Sequence, residues 1–253
     1  MRTFARALVR AWRFLELAAV VLVLALSPSS YTLVHRRRMW LCIHAQTVPV
    51  LPWFALLAAL LSLVLIQIVI VTARSYGLSH YALAMVIRVL LVELIPLSAA
   101  LFVALYAAAK SPGEAALAAR QDGPAQRRAW SVPLLQAVLL PQLVARVFAV
   151  LALACVSGAV VLVLAYLLVY GPSPWGLPAF THTVGQIFTP SLGMGLALKL
   201  GVFSVATACV PLVVQWADRA AQPLRATPSQ SGLTYLFAVL FVTEAVFLTI
   251  QYV

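Results

Sequence analysis

Long apolar runs separated by short polar breaks dominate the chain. The runs cover about residues 48–72, 82–109, 132–170, 192–215 and 233–252. A helix needs about 20 apolar residues to cross a hydrocarbon core roughly 30 Å thick. Inside that core each backbone N–H and C=O must be paired within its own segment, which leaves the helix as the economical solution. The pattern therefore predicts five transmembrane helices. The third run exceeds one crossing, so it predicts a helix that begins on the cytoplasmic side or crosses long and tilted. Residues 73–81, 110–131, 171–191 and 216–232 read as loops. Pro172, Pro174, Gly176 and Pro178 mark the third as a true break. Tyr166, Tyr170 and Trp175 beside it suit an aromatic belt at the membrane surface.

The first 38 residues follow a different pattern. Arg2, Arg6, Arg10 and Arg13 recur at helical spacing, with Phe4, Leu8, Val9, Trp12 and Leu15 over much of the remaining surface. This predicts a basic amphipathic helix lying in the membrane interface; a basic flank preceding a span is the plainer alternative. The apolar stretch 17–26 is too short to cross and reads as monotopic or re-entrant. Arg36, Arg37 and Arg38 then form a cytoplasmic marker. No clean apolar core with a small-residue cleavage site is visible, so the segment does not read as a cleavable signal. The resulting organisation is a basic interfacial segment, 1–38, followed by one membrane domain, 39–253, with no internal repeat.

Composition supports this reading and charge orients it. Of the 253 residues, 64% are hydrophobic and 9% charged, whereas a soluble domain has about 50% and 25%. The excess apolar surface is therefore assigned to lipid. The net charge is +11, but the basic residues sit at the ends of apolar runs, as beside an anionic bilayer. No RNP-like motif, zinc knuckle or basic–aromatic groove accompanies them, which argues against nucleic acid. The N-terminal segment, loop 110–131 (Lys110, Arg120, Arg127, Arg128) and loop 216–232 (Arg219, Arg225) hold most of the positive charge. The positive-inside rule places these three in the cytoplasm, and the intervening loops and the C-terminus outside.

The usual signatures of catalysis do not occur. There is no GxxxxGK[ST] loop, HExxH pair or GxSxG elbow. Cys42, Cys155 and Cys209 are isolated and read as small buried hydrophobes. The distinctive chemistry is charge within the spans, where each such residue costs about 2.5–3.5 kcal/mol on insertion scales and needs a partner or a wet cavity. Arg88 and Glu93 lie in the second run, Arg146 in the third, Lys199 in the fourth and Glu244 in the fifth. Lys110 and Glu114 mark an interfacial end of the second. Static interhelical ion pairing and a polar belt around a translocation cavity both fit these five residues.

From the second run onward the chain resembles the MlaE/YrbE permeases, the membrane subunits of MCE-type ABC lipid transporters. Glu93-Leu94-Ile95-Pro96 followed by Glu114 is similar to the family's R-E-L-G-P…A-E signature. The likeness runs ungapped to Pro141: Asp122 falls on an acidic family position, Val132 on a Val, and Pro141 on a Pro. Lys199 in LKLGVF resembles a fourth-span Lys, Arg225-Ala226-Thr227 an R-A-T motif, and Glu244 lies within one residue of a family Asp. The resemblance covers roughly residues 50–253. Departures are also present: Val92 replaces the signature Arg, Ile95 a Gly, and Leu105-Tyr106 a Gly-Arg pair. Gly123-Pro124 would break or shorten the family's cytoplasmic coupling helix.

The resemblance implies an all-α, MlaE-like permease fold with an interfacial N-terminal helix and five spans. It implies a bacterial inner-membrane location with a cytoplasmic N-terminus, a second permease copy, a separate ABC ATPase carrying the ATP and Mg, and an MCE-domain partner, with phospholipid as cargo. It places ATPase coupling in 110–131, with Glu114, Arg120, Asp122, Arg127 and Arg128 as candidate residues. This chain is then a transporter subunit and holds no cofactor of its own. A non-transporting structural subunit paired with a more typical permease, and an unrelated intramembrane enzyme, are the alternatives.

Overall fold

The computed structural model describes residues 33–77, 79–121, 132–221 and 230–252, and the side chains of 39–77, 81, 83–109, 141–211 and 233–250. Among these residues the fold is all-α, with five helical spans long and apolar enough to cross a membrane. The first is Met39–Ser75, the second Leu83–Ala109, the third Pro141–Tyr170, the fourth Pro190–Pro211 and the fifth Leu233–Ile250. The first span starts earlier than its apolar run suggests. Helix α1 (Leu33–Thr47) leads through a turn at 48–50 into α2 (Leu51–Ser75). Pro52 suits the start of α2, where an unpaired N–H would otherwise be exposed.

The second span is built in three parts. Helix α3 (Ser79–Ile87) passes into a π-helical segment, Arg88–Leu94, and then into α4 (Ile95–Gln121). The Ile95 N–H donates to the Leu90 carbonyl, five residues back. Pro96, next in the chain, has no N–H to offer a carbonyl one turn below. The wider turn changes the rotational phase of the side chains, and such segments recur at functional positions. Helix α4 then continues well past the apolar run. Residues 110–121, read from the sequence as loop, are helical up to Gln121, immediately before Asp122-Gly123-Pro124. The alanine-rich stretch from Ala107 to Ala119 explains this, since alanine has the highest helix propensity and outweighs Pro112 and Gly113.

Helix α5 (Val132–Tyr170) is one continuous element of 39 residues. At about 1.5 Å per residue it is much longer than the hydrocarbon core is thick. It is the centre of the bundle, packing against α1, α2, α4 and the fourth span. Its buried positions include the small residues Ala145, Ala149, Ala154, Ser157 and Ala165. Small residues let membrane helices approach closely without a hydrophobic driving force between them. Ser157 keeps its hydroxyl satisfied by donating to the Leu153 carbonyl at 2.6 Å.

The 171–191 break is not a bare loop. A 3₁₀ turn (Pro174–Gly176) and an amphipathic helix α6 (Leu177–Ile187) precede α7 (Pro190–Ala221), and α8 (Gln230–Tyr252) closes the fold. Gly171 ends α5 in the left-handed region, at φ +73°, and its N–H caps the Leu167 carbonyl. The chain then folds back over Tyr170 so closely that a Cβ on Gly176 would stand 2.9 Å from the ring's Cδ1. Tyr166 donates its hydroxyl to the Ser173 carbonyl, and Tyr166 and Tyr170 pack on Phe180 of α6. Of the three residues assigned to an aromatic belt, Trp175 is 89% exposed and suits that role, whereas the two tyrosines pin this corner together. The interfacial helix expected over residues 1–15 and the re-entrant stretch at 17–26 lie outside the described residues.

Candidate functional site

The described interior brings three of the five membrane-embedded charges together. Lys199 of α7 donates from Nζ to Glu93 Oε2 on the π-helical segment and to Glu244 Oε1 on α8, the latter at 2.8 Å. The cluster therefore ties the second, fourth and fifth spans to one ammonium, and each of its members lies near the middle of its span. Lys199 is 1% exposed, and the ring of Phe203, one turn further along α7, lies 5.9 Å from its Nζ. Burial at this depth is tolerable only because each charge faces an opposite one. Glu93 Oε1 and Glu244 Oε2 are also buried, and neither has a hydrogen-bond partner among the described residues.

The π-helical segment makes this geometry possible. Leu90, Leu91 and Val92 are buried. Gly158 of α5 lies beside the segment; a Cβ there would stand 3.4 Å from Leu91 Cδ1. Sequence reading missed Gly158, although a glycine between Ser157 and Ala159 in an apolar run is a signal of close helix approach. It also missed Phe203, whose four-residue spacing from Lys199 on a helix predicts the same face.

The other two candidates stand apart. Arg146 of α5 is buried, 6% exposed, within electrostatic reach of Cys209 on α7. Arg88 lies at the start of the π-helical segment with its side chain exposed, rather than well inside the bundle. Glu114 and Arg120 lie on the backbone of α4, and Arg36, Arg37 and Arg38 on that of α1, beyond the described side chains. Asp122, Arg127 and Arg128, with Arg2, Arg6, Arg10, Trp12 and Arg13, fall outside the described residues.

The arrangement is a three-way electrostatic tie between three helices. Among the described residues no group of three or more His, Cys, Asp or Glu could hold a metal ion. A search of curated proteins finds no match for the chain. The family model described as Permease MlaE matches residues 39–249, from the last turns of α1 nearly to the end of α8. That match covers most of the chain and all five spans, so this multi-pass membrane protein belongs to the MlaE permease family and is a transporter subunit.

Proposed function

We propose that the chain is the lipid-handling membrane subunit of an ABC-type transporter of the Mla/MCE kind, moving phospholipid or a related lipid between the inner membrane and the periplasmic side. The observation that carries this reading is the family match across residues 39–249. In this reading ATP and Mg are bound by a separate ATPase beneath the membrane. An MCE-domain protein receives or delivers lipid above it, and a second copy of this chain completes the pore. The basic segment 1–38 lies in the cytoplasmic interface, and 39–253 forms the permease domain.

The mechanism follows from how the second span is built. One unbroken helix, α4, joins the segment carrying Glu93 to residues 110–121. A push on the coupling region around Glu114, Arg120, Asp122, Arg127 and Arg128 would travel along that rod to the ion cluster. Parting Glu93 from Lys199 would free the second span from the fourth and open an apolar cavity between the two copies. Re-forming the contact would close it. Lipid tails need only apolar walls, so the chain's part in transport is to change shape.

Val92 favours a second reading. An apolar, 1% exposed side chain stands where the family signature has an Arg, which suits a structural subunit pairing with a more typical permease. One experiment separates the two. The chain is captured in mild detergent from its host, and co-purifying proteins and lipids are identified by mass spectrometry. An ABC ATPase, an MCE-domain protein, phospholipid and this chain as the sole permease support the principal reading. A second, different permease chain supports the alternative. Recovery of neither an ATPase nor an MCE-domain protein contradicts both.

A further inference from the structure

The ion cluster is unbalanced. Two carboxylates face one ammonium, so the fully ionised cluster carries one net negative charge in the middle of the membrane. Both ion pairs to these carboxylates come from the same ammonium, Lys199 Nζ. The groups acting on Glu244 are Lys199 and Glu93 themselves. From α5, Arg146 acts on Cys209 of α7. Arg88, on the π-helical segment, is exposed.

The hydrogen bonds show the same imbalance. Each carboxylate gives one oxygen to Lys199 Nζ and keeps one buried oxygen, Glu93 Oε1 or Glu244 Oε2, without a partner among the described residues. Because both acids bond to the same nitrogen, they are held within a few ångströms of each other. Like charges at that separation in a poorly solvated site do not both stay ionised.

We propose that Glu93, Lys199 and Glu244 form a one-proton binding site within the membrane, the proton residing on one of the two unpartnered carboxylate oxygens. In the step, a carboxylate takes up a proton from water to become a carboxylic acid, and the cluster goes from net −1 to neutral. No electron moves. A metal cation fits less well, because the ammonium repels it and two oxygens are too few ligands for a hard cation. The inference goes beyond lipid transport and does not rest on it, since occupancy is measured on the resting chain.

Infrared spectroscopy of the full chain in lipid nanodiscs tests this directly. The chain has only six Asp and Glu residues, so its carboxyl region is simple. At neutral pH the wild type should show the C=O band of one protonated, buried carboxylic acid, shifted on exchange into heavy water and bleached as the pH is raised. Glu93→Gln and Glu244→Gln should each abolish the band, because the remaining acid then pairs one to one with Lys199. Absence of the band from the wild type at neutral pH overturns the proposal, as does a band that survives both substitutions. Loss of the band on adding sodium at constant pH overturns it in favour of a cation site. If a variant does not fold, the wild-type band and its bleaching read the same site without any substitution.

Discussion

Lys199 has the largest predicted effect of any single side chain. Replacing it with Met leaves two buried carboxylates facing each other. Removing one partner from a buried ion pair costs about 3–5 kcal/mol, because the remaining charge is left uncompensated. Glu244→Gln is expected to be milder, since Lys199 keeps Glu93, and polar contacts in membranes average only about 0.6 kcal/mol in double-mutant cycles. Denaturant unfolding in detergent checks this order: Lys199→Met far below wild type, Glu244→Gln close to it. Equal losses would mean that the cluster is not a shared tie. At this scale the sequence was partly informative. Charges inside apolar runs stand out because they are expensive there, so all five candidates could be read directly. Which of them meet could not. That depends on the rotation of each helix about its own axis, and the π-helical segment resets that rotation for Glu93 while leaving Arg88 on the surface.

Among the elements, two close approaches carry predictions. Gly158 of α5 leaves space that an Ala would fill at ordinary contact distance from Leu91, so Gly158→Ala should be tolerated. Gly158→Leu has no such room, and overpacking of this kind costs about 1–3 kcal/mol. It should also push the π-helical segment away from α7, weakening a disulfide cross-link engineered between cysteines placed on those two elements. At the other end of α5, Tyr166→Phe removes the hydrogen bond to the Ser173 carbonyl. A loss of about 1 kcal/mol is expected, read as earlier hydrogen exchange over residues 171–176. The helical spans were legible because a run of about 20 apolar residues has few other uses. The helices inside two presumed loops were not. Alanine propensity carries α4 past the apolar boundary, and α6 is short enough for its flanking prolines and glycines to look like a break.

For the whole molecule, a family membership is joined to a specific device, the ion cluster. The protein is an MlaE-family permease whose second, fourth and fifth spans meet at one lysine. The resemblance along 50–253 pointed to the family from scattered residues that kept a common spacing, and the fold then brought Glu93, Lys199 and Glu244 of that set together. The device should be required for transport even where assembly survives. The most direct measurement is ATP-dependent transfer of a labelled phospholipid between proteoliposomes containing the intact complex and the MCE-domain protein proposed as its partner. Wild type should transfer lipid only with hydrolysable ATP, and Lys199→Met complexes that still assemble should lose at least about tenfold in rate, the equivalent of about 1.4 kcal/mol. An assembled wild-type complex that hydrolyses ATP and transfers no phospholipid would contradict the proposed function, and undiminished transfer by Lys199→Met would contradict the role given to the ion cluster.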